Sequence, residues 1–219
     1  MSDGITSRKP ISRRRFLRVG CLTTAACGLA VCGVSEAASI PDPSSIDLPS
    51  FSYGERTLNH HILVTYASAL GSTAGVAIEI GKTLGTRGFS ADVKPVGENP
   101  SLDGYQAVLI GSAVHYGSWL PEAVEFVRAN QAALGRVPVA LFTVHIRNTG
   151  NDDESRRQRL AYLDAVRALV RPVAEVFFAG RFDRRGAALL LPNLVARLTP
   201  TMDLRDWGKI RAWAQTIAA

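Results

Sequence analysis

Past residue 37 the chain has no cysteine; Cys21, Cys27 and Cys32 all lie before that point. A disulfide framework, a thiolate metal site and a thiol nucleophile are therefore excluded from most of the chain. No G-x-G-x-x-G follows the first strand-like run, and there is no G-x-x-x-x-G-K-[ST], so the fingerprints of a dinucleotide and of a nucleoside triphosphate are both missing. No His, Asp and Glu residues fall at metal-ligand spacing, so no metal is expected. No apolar run reaches the ~20 residues of a membrane-spanning helix. A charge excess is also scarce where it would matter. The 219-residue chain has a formal charge of +6, but six of its 25 Lys and Arg, against two of its 19 acids, precede residue 38. The remainder is close to neutral, which argues against a nucleic-acid partner.

What stands at the start is Ser12-Arg13-Arg14-Arg15-Phe16-Leu17-Arg18, then the modestly apolar run Val19–Val34 and the small-residue exit Ser35-Glu36-Ala37. That order is an export signal, and Ser-Arg-Arg-x-Phe-Leu resembles the twin-arginine type, which carries proteins already folded around a cofactor. The expected domains are an export signal over residues 1–37, a proline- and serine-bearing linker over 38–57 and one globular domain over 58–219. The expected location is periplasmic or otherwise extracytoplasmic. Membrane contact would come only through the leader or through lipidation at Cys32, whose preceding Leu29-Ala30-Val31 weakly resembles a lipoprotein box.

The globular part alternates strand-like and helix-like segments. Strands are expected over 60–66, 89–96, 107–110, 137–144 and 173–179, from short β-branched and apolar runs. Helices are expected over 72–86, 120–134, 154–171 and 203–217, with a short one inside 187–198. The last presents Leu204, Trp207, Ile210, Trp213 and Ile217 on one face, read as helix–sheet packing. Five strands alternating with helices imply an α/β fold, a doubly wound parallel sheet. Right-handed crossovers then bring the loops after strands one, three and four to one carboxyl edge, where such sheets bind ligands.

Those loops are Ser68–Thr73, Ser112–Trp119 and Thr143–Asn151. The first is Ser68-Ala69-Leu70-Gly71-Ser72-Thr73, small and hydroxyl-bearing, placed between a strand and a helix. Backbone N–H groups at a helix N-terminus, with serine and threonine donors and no lysine, suit a terminal phosphomonoester. That points to a mononucleotide such as FMN. Tyr116 and Trp119 of the second loop are expected to cover the faces of a flat ring, with backbone from Ser112 to Gly117 at its polar edge.

The segments YASALGSTAGVAIEI, VLIGSAVHYGSWLPEAVEFV and DLRDWGKIRAW resemble the flavodoxin-like domain family that includes menaquinone-dependent protoporphyrinogen oxidase. The resemblance runs from about Ile62 to Ala214. It implies strand order 2-1-3-4-5, with FMN over the ends of strands one, three and four. By position, Ser68, Gly71, Ser72 and Thr73 would hold the phosphate, with Ala69 and Leu70 in the same loop. Ser112, Ala113, Val114, His115, Tyr116 and Gly117 would surround the ring, with Trp119 beside them and a third contact at Thr143, Val144 and His145. His115 is the favoured histidine for ring proximity and His145 the weaker one.

Three functions stay open from sequence: an exported FMN protein passing electrons to a quinone or a protein partner, a flavodoxin-like binding domain without flavin, and a protoporphyrinogen oxidase. No catalytic side chain is expected. The redox step belongs to the flavin, and neither Ser68 nor Ser72 has an evident base.

Overall fold

The computed structural model describes residues 48–55, 60–182 and 200–217. The leader, most of the linker and the expected helix within 187–198 lie outside the described residues.

The central strand is β2 (His61–Ala67), in which every residue from Ile62 onward is buried. Its side chains alternate between two cores. Ile62, Val64 and Tyr66 enter one, Leu63 and Ala67 the other, as a strand covered on both faces requires. On either side of it run β3 (Ser90–Pro95) and β4 (Ala107–His115), both parallel to it, followed by β6 (Val139–His145) and β7 (Ala174–Ala179). These five parallel strands stand in the order expected, 2-1-3-4-5. The sheet is nevertheless not purely parallel or five-stranded. A short β1 (Phe51–Tyr53) joins the outer edge antiparallel to β3, and β5 (Ser118–Trp119) pairs back on β4.

β1 falls inside the expected linker and corrects that reading over residues 51–53. A three-residue strand leaves no periodicity; only its pairing with Ala91, Asp92 and Val93, far along the chain, reveals it. Tyr66 Oη also donates to Pro49 O at 2.8 Å, tying the preceding chain down.

Helix α1 (Ser72–Thr86) and α6 (Trp207–Ile217) cover one face, burying Val76, Ala77, Ile80 and Leu84 with Ile210 and Ala214. Trp207 and Trp213 pack partly buried against this core, as expected. Leu204 precedes the helix and is exposed, which corrects its expected place on the apolar face. The other face is covered by α2 (Pro121–Ala129) and the short α3 (Gln131–Leu134), with α4 (Asp153–Ala161) and α5 (Asp164–Arg167) continuing around it. The helix expected over 154–171 is thus broken. α4 buries no residue and Leu160 is exposed, whereas Leu163, Val166 and Val170 are buried in the core with Leu169 packed partly buried against it, as expected, and Tyr162 is buried as well.

At the amino end of the sheet, the buried Asp92 carboxylate accepts from Ser52 Oγ (2.5 Å) and Tyr105 Oη (2.8 Å) and lies 3.0 Å from His61 Nε2. Burial alone would raise this carboxyl. The bonds from Ser52, Tyr105 and His61, with the charge of His61, hold it below its ordinary value. The network joins β1, β2, β3 and the segment before β4.

Candidate functional site

The carboxyl ends of β2, β4 and β6 open onto a cleft with two connected lobes. The narrow lobe, about 120 Å³, lies against Ser68, Leu70, Ser72 and Thr73. The wide lobe, about 590 Å³, lies between Tyr116 and Gly117 on one side and Arg147, Asn148 and Tyr162 on the other. Val114, His115, His145 and Ile146 border both.

The narrow lobe is built around the start of α1. Gly71 occupies the N-cap position with φ +79°, a left-handed conformation that glycine adopts without cost, and no side chain caps the helix. The first N–H groups of a helix have no intrahelical acceptor. Around them, the hydroxyls of Ser68 and Thr73 are buried with no hydrogen-bond partner among the described residues. Thr65 Oγ1, inside β2, is likewise unpaired. Ser72 Oγ accepts from Arg181 N at 2.8 Å and keeps its own proton to donate. An uncapped helix end beside buried hydroxyls that are unpartnered among the described residues is an arrangement chemically suited to an anion.

The second expected loop is not a loop in its first half. β4 runs on to His115, turns through Tyr116 (φ +49°) and Gly117 (φ +80°), and returns as β5. Two residues of positive φ make the tight hairpin turn that matches strand twist. The hairpin corrects the expected role of Trp119. That side chain is buried in the core, and its Nε1 donates to Thr143 Oγ1 at 2.9 Å. Ser112 is buried as well, accepting from Leu120 N and donating to Ala113 O. Trp119, Thr143 and Ser112 therefore brace the strand ends and do not line the cleft. Tyr116, 88% exposed, stands at the hairpin tip beside the wide lobe, its ring 4.1 Å from that of His115.

Both histidines border the two lobes but differ in burial. His115 is exposed, whereas His145 is buried where both lobes meet. Its Nδ1 lies 2.6 Å from Arg147 O, so Nδ1 carries the proton and Nε2 is the acceptor. Burial pushes the imidazole below its ordinary value, and the charges of Arg159 and Lys209 push the same way, outweighing the bond to Arg147. It is neutral at pH 7.

Of the expected residues, Ser68, Ala69, Leu70, Ser72, Thr73, Ala113, Val114, His115, Val144 and His145 line the narrow lobe, and Tyr116 and Gly117 the wide one. Sequence reasoning missed Leu120, Ile146 and the stretch Gly180-Arg181-Phe182. Gly180 follows β7 directly, and its N–H donates to His145 O at 2.7 Å. Arg181–Phe182 then forms β8, paired with β9 (Met202–Asp203). A glycine just after the fifth strand was the available signal.

With this geometry in place, the profile described as "Flavodoxin domain" matches residues 63–190. The chain belongs to the flavodoxin domain family. Among curated proteins it is 29% identical over 86 residues to the protoporphyrinogen IX dehydrogenase [quinone] of Escherichia coli K12, a match covering 38% of this chain and 48% of that protein. The chain thus spans about half the length of the curated relatives it matches. Similar solved structures include oxidised flavodoxin 1 from Bacillus cereus, at 13% identity over 71% of this chain and 95% of the other, with TM-score 0.45. Another is the rubredoxin oxygen:oxidoreductase of Desulfovibrio gigas, at 14% identity over 72% of this chain and 35% of the other, also with TM-score 0.45.

Proposed function

We propose that this flavodoxin-family chain is an exported FMN-binding redox protein that exchanges electrons with a quinone or a protein partner. The observation that carries the reading is the pair of buried, unpaired hydroxyls, Ser68 and Thr73, beside an uncapped helix N-terminus. Ser68, Ser72 and Thr73, with the N–H groups at the start of α1, would hold the phosphate. Val114 to Gly117, with His145 and Ile146, would flank the ring in the wide lobe. When bound there, the isoalloxazine ring supplies the electron transfer. The chain's part is to position that ring, to keep one edge dry with Val114, Val144 and Ile146, and to present the acceptor Nε2 of the neutral His145 at the junction of the lobes.

Protein purified from a host able to load cofactor should be yellow and release FMN on denaturation. Colourless protein that takes up no flavin from excess FMN overturns the reading. The match to a quinone-dependent protoporphyrinogen dehydrogenase supports a narrower version, an oxidase of that substrate class. Turnover of protoporphyrinogen with a quinone acceptor tests it, and its absence in the yellow protein rejects it. Export rests on Arg13 and Arg14. Replacing both with lysine should hold the protein in the cytoplasm, and normal export of that variant rejects the twin-arginine route.

A further inference from the structure

A third cavity, about 320 Å³, shares the His145 wall with the cleft but opens beside β7 and the start of α6. Its cationic walls are Arg159 and Lys209, and its acid is Glu175. Glu175 is already engaged. Arg167 Nε donates to its Oε1 at 2.8 Å, and a second, shorter bond completes a forked pair. The two cations have no such partner among the described residues. Arg159 Nη1 donates to the backbone carbonyls of Asn148 and Gly150, leaving the other guanidinium donors uncommitted. Lys209 Nζ reaches only Phe177 O, at 3.3 Å. Backbone carbonyls orient these groups without neutralising them.

Arg159 stands on α4 and Lys209 on α6, and the loop between β6 and α4, which adds Thr149 and Asn151 to the lining, is held against Arg159. Asn148 sits at φ +56°, its side chain donating to Tyr162 Oη and its carbonyl held by Arg159. The Arg159 guanidinium is therefore held in place before a ligand arrives, which lowers the ordering cost of binding at that residue. The fields of both cations reach His145, which forms the partition between this cavity and the cleft.

We propose that this cavity is an oxyanion subsite, in which Arg159 and Lys209 take the carboxylate or phosphate of the small molecule that exchanges electrons in the adjoining cleft. The location of that exchange rests on the flavin reading; the subsite itself does not. Arg159 offers a planar fork suited to two oxygens, and Lys209 a point charge on the same cavity lining.

The test follows the His145 ring proton resonances while the protein, with and without FMN, is titrated with inorganic phosphate and separately with succinate, at ionic strength held constant with sodium chloride. A saturable shift is expected, with its apparent Kd raised about tenfold or more in Lys209→Met. Saturation by succinate alone assigns a carboxylate ligand and by phosphate alone a phosphate ligand; saturation by both supports the subsite equally. Arg159→Gln should also weaken binding, but because Arg159 holds the loop, Lys209→Met decides. No saturable shift with either anion, or an unchanged Kd in Lys209→Met, overturns the proposal. Colourless protein that still shows the shift retires the flavin reading and keeps the subsite, whereas yellow protein without it does the reverse.

Discussion

At the amino end of the sheet the buried Asp92 carboxylate is matched by Ser52, His61 and Tyr105, whereas at the carboxyl end the buried hydroxyls of Ser68 and Thr73 have no partner among the described residues and the helix beside them has no side-chain cap. The same parallel sheet supports both ends, so its architecture does not explain the contrast. An unpaired buried polar group costs about 1–3 kcal/mol, and a fold keeps such groups where something outside the chain repays them. The amino end is built for stability and its polar groups answer one another. On the proposed reading, the unpartnered polar groups of the carboxyl end serve a ligand.

The comparison is most easily broken at Asp92. Asp92→Ala strands three donors and should lower the unfolding free energy by about 3 kcal/mol in urea denaturation. FMN affinity of the protein that remains folded should be unchanged; a large loss of affinity would mean that the two ends are not separate. The acid dependence sharpens the same point. The Asp92 carboxyl is held below its ordinary value when folded, so on acidification the unfolded chain takes up its proton first. The stability it confers is full above the ordinary carboxylate range and disappears as pH falls through the folded value. Unfolding measured at stepped pH should give a steeper acid loss in the wild type than in Asp92→Asn, and equal slopes would refute the assignment. A smaller effect is expected at the brace beneath the cleft. Trp119→Phe removes the bond to Thr143 and should cost about 1 kcal/mol of stability, with FMN affinity retained. A steep fall in affinity would return Trp119 to the site.

Much of this was legible in the chain because it is local. The β-branched run before Ser68, the glycine at position 71 and the apolar spacing of Val76, Ile80 and Leu84 are written within about 25 residues, and they place strand, loop and helix. What was missed depends on partners far along the chain. Phe51–Tyr53 is a strand only because β3 offers it an edge. Trp119 looked free to stack on a ring because nothing nearby in sequence shows that Thr143 accepts from it. The burial of His145 at the junction of the cavities is a tertiary fact that its sequence neighbours do not show. The helix expected over 154–171 failed because its arginines and leucines fit a single amphipathic period. The chain instead bends after Ala161 to bring Val166 and Val170 onto the sheet.

The contrast between the two ends comes down to one side chain read two ways. Thr73→Val replaces a buried, unpaired hydroxyl with a methyl group of nearly the same shape. Flavin-free protein should be as stable as the wild type or about 1 kcal/mol more so, while the Kd for FMN rises about 10- to 100-fold. A variant that loses stability without flavin and binds FMN as tightly as before would contradict the account, because Thr73 would then belong to the fold and not to the ligand.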